Sequence, residues 1–281
     1  MLKKIFVLVL TFVSINLSAQ EKDKDKNYKI FDDDYFYKGR PTMALSYGNT
    51  WISLKNSGIS FDNSPMFELK LGYAYEGKSK YTNYIQRFRN NFALLTYFAP
   101  QNFDLAWKIG LGNSSGYGYK IGKNSGLFLY NSNSIDWTRY DGGDPVITFN
   151  MFADNGYYST IQDFNKTFRF GTGTEAGIIM PFGGIFNFQV QFDRTLVFPR
   201  HLVWKHLGSV IIEGVGQSVL DGFIHAVFKA SPESGPIVNF LLKNGLAFGL
   251  YELRRSKMNW PFETAEPMLF DSFKGGLSIT F

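Results

Sequence analysis

A chain of 281 residues with 29 lysines and arginines against 24 carboxylates carries a formal charge of +5, and because those charges are scattered and form no stripe, they make no nucleic-acid footprint. The absence of cysteine excludes a disulfide framework and any thiolate metal site. Aromatic residues reach 18%, with 29 Phe and 16 Tyr beside 28 Gly, and no stretch beyond the first twenty residues reads as long and apolar enough for a membrane helix, so an all-β protein is expected, soluble or membrane-embedded.

The opening, MLKKIFVLVLTFVSINLSAQ, places Lys3 and Lys4 before an apolar run from Ile5 to Val13 and ends in small and polar residues. That order is expected of a secretory signal over residues 1–19, cleaved after Ala19. The run is too short to cross about 30 Å of hydrocarbon as a helix. No cysteine follows it, so no lipoprotein anchor is expected. Without Lys3 and Lys4, 27 basic residues face 24 acidic ones. Residues 20–39 alternate charges and carry the triplet Asp32, Asp33 and Asp34, the composition of a flexible periplasmic leader. Consecutive carboxylates point apart and no glycine-turned loop follows them, so they make no calcium site.

Beyond the leader the hydrophobic period becomes two. A first strand is expected over Pro41–Leu54. In the second, Phe67, Leu69, Leu71, Tyr73 and Tyr75 share one face, while Glu68, Lys70, Gly72, Ala74 and Glu76 share the other, which no helix of period 3.6 would produce. Phe88–Phe98 follows. From Phe103 to Leu111, Phe103, Leu105, Trp107, Ile109 and Leu111 alternate with Asp104, Ala106, Lys108 and Gly110. Gly116–Gly122, Gly126–Asn133 and Val146–Ala153 are weaker candidates, with a turn at Asp141–Pro145. Phe168, Phe170, Ala176, Ile178 and Met180 oppose Arg169, Gly171, Gly173, Glu175 and Gly177. After the tight connection Pro181–Gly184, Phe186, Phe188, Val190 and Phe192 oppose Asn187, Gln189, Gln191 and Asp193. The total expected is ten to twelve strands.

The strong strands alternate over about the 9 to 11 residues that a tilted strand needs to cross hydrocarbon. Their apolar face is dominated by Phe, Tyr and Trp, and the other face carries Gln, Asn, Arg, Glu and Gly. A soluble sandwich would draw more of its packing from branched aliphatics. Lipid outside and a hydrated interior fit better, so a transmembrane antiparallel up-and-down β-barrel is expected over residues 40–281. Arg169, Glu175, Asn187, Gln189, Gln191, Asp193, Glu68, Lys70, Asp104 and Lys108 then project into the lumen. In a narrow barrel they pair and fill it; in a wider one they line a path for a polar solute.

Strand directions predict that part of His201–Glu213 returns through the membrane. Residues 214–244 are then a periplasmic or lumenal helical insert, because Val215, Val219, Phe223, Ala226 and Val227 recur at helical spacing. A second short helix is expected over Pro236–Lys243, with Gly245 past its end. Leu246–Leu253 is expected to be an upward strand and 254–272 an extracellular loop. The insert either fills the lumen or docks a partner through Val219, Phe223 and Val227. His201, His206 and His225 fit no metal pattern, and His206 with Ser209 lacks the arrangement of a lipid hydrolase. No catalytic residue and no cofactor are expected.

The last nine residues place Phe273, Leu277, Ile279 and Phe281 opposite Lys274, Ser278 and Thr280. This resembles the terminal strand by which bacterial outer-membrane proteins are recognised by their assembly machinery, with Leu277, Ile279 and Phe281 as the signal. The Leu-Ser-Ala-Gln signal end and the Phe-rich, Cys-free body are similar to outer-membrane barrels of Bacteroidota type. The resemblance implies an integral outer-membrane protein in contact with lipid and, during biogenesis, with the barrel-assembly machinery. The function expected is a non-enzymatic structural or assembly-associated component that binds a protein partner through its insert and loops; the alternative is a small channel or transporter.

Overall fold

A computed structural model of the chain describes residues 39–54, 63–79, 81–99, 105–122, 125–141, 163–200, 203–256, 259–262 and 266–281. The signal segment, nearly all of the leader, Asp104, His201 and the candidate strand Val146–Ala153 lie outside them.

Eight antiparallel strands close into one barrel in sequence order. They are β1 (Arg40–Leu54), β2 (Ser64–Lys78), β3 (Ile85–Phe98), β4 (Leu105–Lys120), β5 (Gly126–Asp141), β6 (Phe168–Phe182), β7 (Phe186–Val197) and β8 (Met268–Thr280). β8 pairs with both β7 and β1, Thr42 standing opposite Thr280, so no edge is left open. The expected ten to twelve strands become eight for identifiable reasons. Leu105–Leu111 and Gly116–Lys120, from two expected strands, belong to one strand, β4, whose alternation is blurred by glycine and serine between Gly112 and Gly118. Neither His201–Glu213 nor Leu246–Leu253 forms a strand among the described residues; both ranges fall in helices.

One end of the barrel has the connections 79–84, 121–125 and 183–185, together with Arg40 and Thr280; the other has 99–104 and the longer 55–63, 142–167 and 198–267. The tightest connection joins Phe182 to Phe186. There Gly183 and Gly184 adopt φ of 64° and 87°, a left-handed conformation that side chains with a Cβ rarely take.

Between β7 and β8 the chain forms two helices, α1 (Val203–Ala230) and α2 (Gly235–Ser256), joined by a single 3-10 turn at Pro232–Ser234. The helical insert is therefore longer than residues 214–244: α1 begins where a strand was expected, and α2 runs through Gly245 to Ser256, where a strand and a loop were expected. α1 is also long and apolar enough to cross a membrane, with a mean hydropathy of 1.3 over its best window, which overturns the reading that no such stretch follows the signal. Its β-branched residues and the glycines Gly208, Gly214, Gly216 and Gly222 hide the helix from a reader of propensity.

The hairpin fills neither the lumen nor a space beyond the barrel. It lies along the outer wall. At the long-loop end His206 packs edge-on to Phe170, 5.2 Å between ring centroids. At the other end Phe228 stacks on Tyr81 and packs on Tyr117, at 5.1 and 4.6 Å, while Tyr84 and Tyr119 donate hydrogen bonds to the side chain and backbone of Glu233 at 3.2 and 2.5 Å. α2 then returns across β4, β5, β6 and β7, and Tyr251 Oη donates to Asp271 at 2.7 Å. At 1.5 Å per residue the 28 residues of α1 span about 42 Å and the 22 of α2 about 33 Å, lengths that match a bilayer.

Candidate functional site: a sealed lumen and a two-faced outer wall

An eight-stranded barrel has an interior just wide enough for side chains to fill. Here it is filled in three layers. Toward the long-loop end Ile52, Leu54, Met66, Phe98 and Phe270 form an apolar plug, joined by Phe164 from the loop after β5. Toward the short-turn end Phe88, Phe128 and Tyr130 form an aromatic layer. Between them lie the charges.

Lys274 is the hub of that middle layer, its Nζ 2.6 Å from Glu68 Oε1 and 2.7 Å from Glu175 Oε2. Lys70 Nζ donates to both oxygens of Glu175 at 2.8 Å. Lys108 Nζ donates to Asp193 at 2.8 Å and to Thr195 at 3.2 Å. Thr96 adds a hydrogen bond to Glu68 at 3.1 Å and Tyr130 one to Glu175 at 2.9 Å. Tyr130 reaches that carboxylate by lying across Gly177, where a Cβ would come within 2.3 Å of the ring. Gln189 Nε2 donates to Ser46 at 3.2 Å, and Asp136 accepts from Ser134 at 3.0 Å.

The network gathers Glu68, Lys70, Lys108, Glu175, Gln189, Gln191 and Asp193 from the expected lumen set, all of them buried. Asn187 lies nearer the short-turn end and donates to Ser278 and Thr280 at 3.2 and 3.3 Å. Arg169 shares the inward parity but sits half-buried near the long-loop end, outside the network. Sequence reasoning missed Lys274, Asp136, Tyr130 and Thr96. Lys274 was within reach, because the alternation of the last strand already placed it on the polar face. Asp136 was not, because the fifth strand was read only as far as Asn133.

The arrangement pairs the charges with one another and leaves little room. The space among Glu68, Lys70, Lys108, Glu175, Asp193 and Lys274 is about 10 Å³, and a second, toward the short-turn end beside Thr42, Asn90 and Asn187, is about 30 Å³. A cavity of the first size holds one water at most. Among the described residues no cluster could hold a metal ion. Ser209 Oγ accepts a hydrogen bond from Arg254 Nε at 3.0 Å, and His206 packs against Phe170 and Phe198.

Outside, the barrel has two unlike halves. On β7, β8, β1 and β2 the exposed residues include Phe188, Phe273, Leu277, Leu45, Tyr47, Phe67, Leu71 and Tyr73. On β3 to β6 the same outward parity brings Arg89, Asn91, Asn113, Ser115, Asn131, Asn133, Thr172 and Thr174 at mid-strand, with Leu95, Trp107, Ile109, Leu111 and Ile135 nearer the long-loop end. The register aligns four of them directly: Asn91 opposite Asn113, Asn113 opposite Asn133, Asn133 opposite Thr174. α2 crosses β4 to β7 on this side, and Asn131 is only 7% exposed. Arg89, Asn91, Asn113 and Ser115 stay exposed.

The hairpin is held by polar contacts as well as packing. Arg254 Nη1 pairs with Glu213 at 2.9 Å and Lys243 with Asp221 at 2.5 Å. Arg194 lies over the rings of Tyr251 and Phe248 at 4.2 and 4.4 Å and pairs with Glu252 at 3.3 Å. The outward face of α1 presents Trp204, Val215, Val219 and Phe223, with Val219 70% exposed, whereas Val227 is half-buried.

The molecule is thus a closed eight-stranded β-barrel with a packed interior and an α-helical hairpin on its outer wall. No protein-family model matches the sequence, and no curated protein matches it. Among solved structures it is similar to Neisserial surface protein A, at 8% identity and a TM-score of 0.41 over 86% of this chain and 97% of that one. It is also similar to Ail, the attachment invasion locus protein of Yersinia pestis, at 7% identity and a TM-score of 0.35 over 87% of this chain and 100% of that one. The barrel assignment rests on the closed strand order itself.

Proposed function

We propose that this protein is an integral outer-membrane barrel with a structural role, a wall element that holds a protein partner at membrane depth and neither conducts solutes nor catalyses a reaction. The observation that carries the reading is the contrast between a lumen closed by mutually paired charges and a helical hairpin that exposes an apolar face along the outside of the barrel. A water-soluble protein does not leave Phe67, Tyr73, Phe273, Leu277, Val219 and Phe223 bare on one molecule, since exposed apolar area of that extent marks a membrane or partner surface. Strands and helices here match the thickness of a bilayer, which supports the membrane reading. The partner surface is the outward face of α1 around Val219 and Phe223, with Val227 beneath it, together with the loops of the long-loop end. Leu277, Ile279 and Phe281 point outward on the closing strand, where the barrel-assembly machinery would meet them.

Extraction in mild detergent followed by identification of what accompanies the protein tests this. A defined complex that is lost when residues 203–256 are removed, while the barrel stays heat-modifiable on gels, is the expected result. Purification of the protein alone from its native membrane would refute it. The channel alternative makes the opposite electrical prediction. Purified barrels should show no steady conductance in planar bilayers, and a conductance altered by Glu175→Gln would replace the present reading.

A further inference from the structure

The exposed part of the polar outer wall is not explained by the hairpin. Arg89, Asn91, Asn113 and Ser115 lie on adjacent strands, Asn91 directly opposite Asn113 and Arg89 directly opposite Ser115, in the central part of β3 and β4. All four are exposed, and among the described residues none of their side chains makes a hydrogen bond or ion pair. At this depth on the other half of the barrel stand Leu71 and Leu45. Amides and a guanidinium facing hydrocarbon lose their water and gain nothing in return, so polar groups at membrane depth normally face protein.

We infer that a second copy of this chain covers the β3–β4 wall, so that the protein forms a two-fold symmetric dimer in the membrane with Asn113 near the axis. The inference rests on the membrane placement proposed above and goes beyond it by naming the occupant. Three observations favour a copy of the same chain. The first is continuity: the covered residue Asn131 lies directly opposite the exposed Ser115, and the covered wall under α2 runs into the uncovered one without a break. This half of the barrel is already a protein-packing surface, and the exposed strip is its remainder.

The second is self-complementarity. A two-fold interface sets each residue against a residue of the same patch, and an amide both donates and accepts, so Asn113 against Asn113 and Asn91 against Asn91 satisfy one another. Arg89 requires an anion. Asp221 of α1 borders the same strip: His225, one helical turn further on the same face of α1, is joined to Tyr81 in the connection between β2 and β3. The Asp221 side chain is 63% exposed despite its pairing with Lys243. Of the two cations on this face of β3, Arg87 lies over the Tyr117 ring at 6.0 Å, and the exposed side of Asp221 is the anion that the second copy would offer to Arg89. The third is size and shape. The patch around Asn113 is bordered by the short side chains of Ala93 and Ser115, which lets two backbones approach closely there, as membrane interfaces require, and the larger Leu95 and Leu111 lie beyond it toward the long-loop end.

The chain has no cysteine, which makes the test direct. Asn113→Cys in the full-length protein, oxidised in native membranes, should form a covalent dimer in high yield, and Phe273→Cys, exposed on β8 across the barrel from β4, should not. The combined variant Arg89→Leu, Asn91→Leu, Asn113→Leu presents lipid with an apolar wall, so it should fold to a heat-modifiable barrel while the dimer fraction, measured by sedimentation in detergent, falls about tenfold or more. Equal cross-linking at both positions, a monomer by sedimentation that yields no Asn113→Cys dimer, or Asn113→Cys joined to a different protein would each overturn the inference. An alkaline wash reads the membrane placement separately: release of the protein by the wash would defeat that reading, whatever the cross-linking shows.

Discussion

The two halves of the outer wall share one barrel, yet at mid-strand one half presents Leu, Tyr and Phe and the other Asn, Thr, Ser and Arg, with Leu95, Trp107, Ile109 and Ile135 restoring an apolar face on the second half nearer the long-loop end. Leu71 and Asn113 are the clearest pair. Each lies near the middle of its strand with its side chain outward. On the proposed membrane placement, lipid meets β7, β8, β1 and β2 at mid-depth, and the middle of β3 to β6 serves protein: α2 over Asn131, and on our inference a second copy over Asn91 and Asn113. A barrel that met lipid all round would have no reason to vary from side to side.

The interior calibrates what polarity costs when it has no alternative partner. Replacing Lys274 by Leu leaves Glu68 and Glu175 short of their shared cation in a dry layer, a loss on the order of 3–5 kcal/mol for a broken buried pair. The midpoint of urea unfolding in detergent, read by heat modifiability, should fall accordingly. Polarity on the outer wall should behave otherwise, because Asn91→Leu and Asn113→Leu leave the monomeric barrel as stable as before. If Lys274→Leu is neutral, the network is not what holds the lumen shut.

A charge placed on each wall separates the two halves more directly. Leu71→Arg sets a guanidinium into lipid at mid-depth and should cost about 2–4 kcal/mol, the range for the lipid face of a membrane barrel at its midplane. Asn113→Arg should cost less than about 1 kcal/mol in the monomer, since that position already faces polar neighbours. Equal penalties at the two sites would mean that lipid touches both walls, and the division into halves would fail.

This division could be read only in part from the sequence. Period-2 alternation is a property of neighbouring residues, so Phe67–Tyr75 and Phe186–Asp193 declared their faces at once, and the inward positions of Glu68, Lys70, Glu175 and Asp193 followed. Which strands stand side by side, and what covers them, depends on closure. Thr172 and Thr174 looked like mild interruptions of an apolar face until the register set Thr174 beside Asn133 and, through it, Asn113 and Asn91. The hairpin was misread for a related reason. Val210, Ile211, Ile212 and Val215 suit a strand by propensity, and their place in a hairpin packed with α2, which neighbouring residues do not declare, decides the helix. Residues 246–253 were taken for a strand because Leu, Phe and Tyr are common to both walls and helices, while the helical spacing of Asn239, Ala247, Leu250 and Arg254, all buried, spans two segments that had been read apart.

The mildest expected effect lies where the two halves are joined, at the seam between the helices. Arg254 is the only side chain described there that binds α1 through three contacts: Nη1 to Glu213 at 2.9 Å, Nε to Ser209 Oγ at 3.0 Å and Nη2 to the Ser209 carbonyl at 3.3 Å. Arg254→Met keeps the apolar stem and removes those bonds, weakening the docking of α1 on α2 by about 1.5–3 kcal/mol, the scale of hydrogen bonds to charged groups. The barrel does not depend on them, so its unfolding midpoint should stay put. What should change is local: a cysteine pair at Gly216 and Leu246, where a Cβ added to the glycine would lie 3.4 Å from Leu246 Cδ2, should cross-link more slowly, and the wall beneath α2 should become accessible to a membrane-soluble label at Asn131→Cys. A barrel that loses stability together with the hairpin would show that α2 is part of the closed wall's own support, and the covered half would then have to be counted as core.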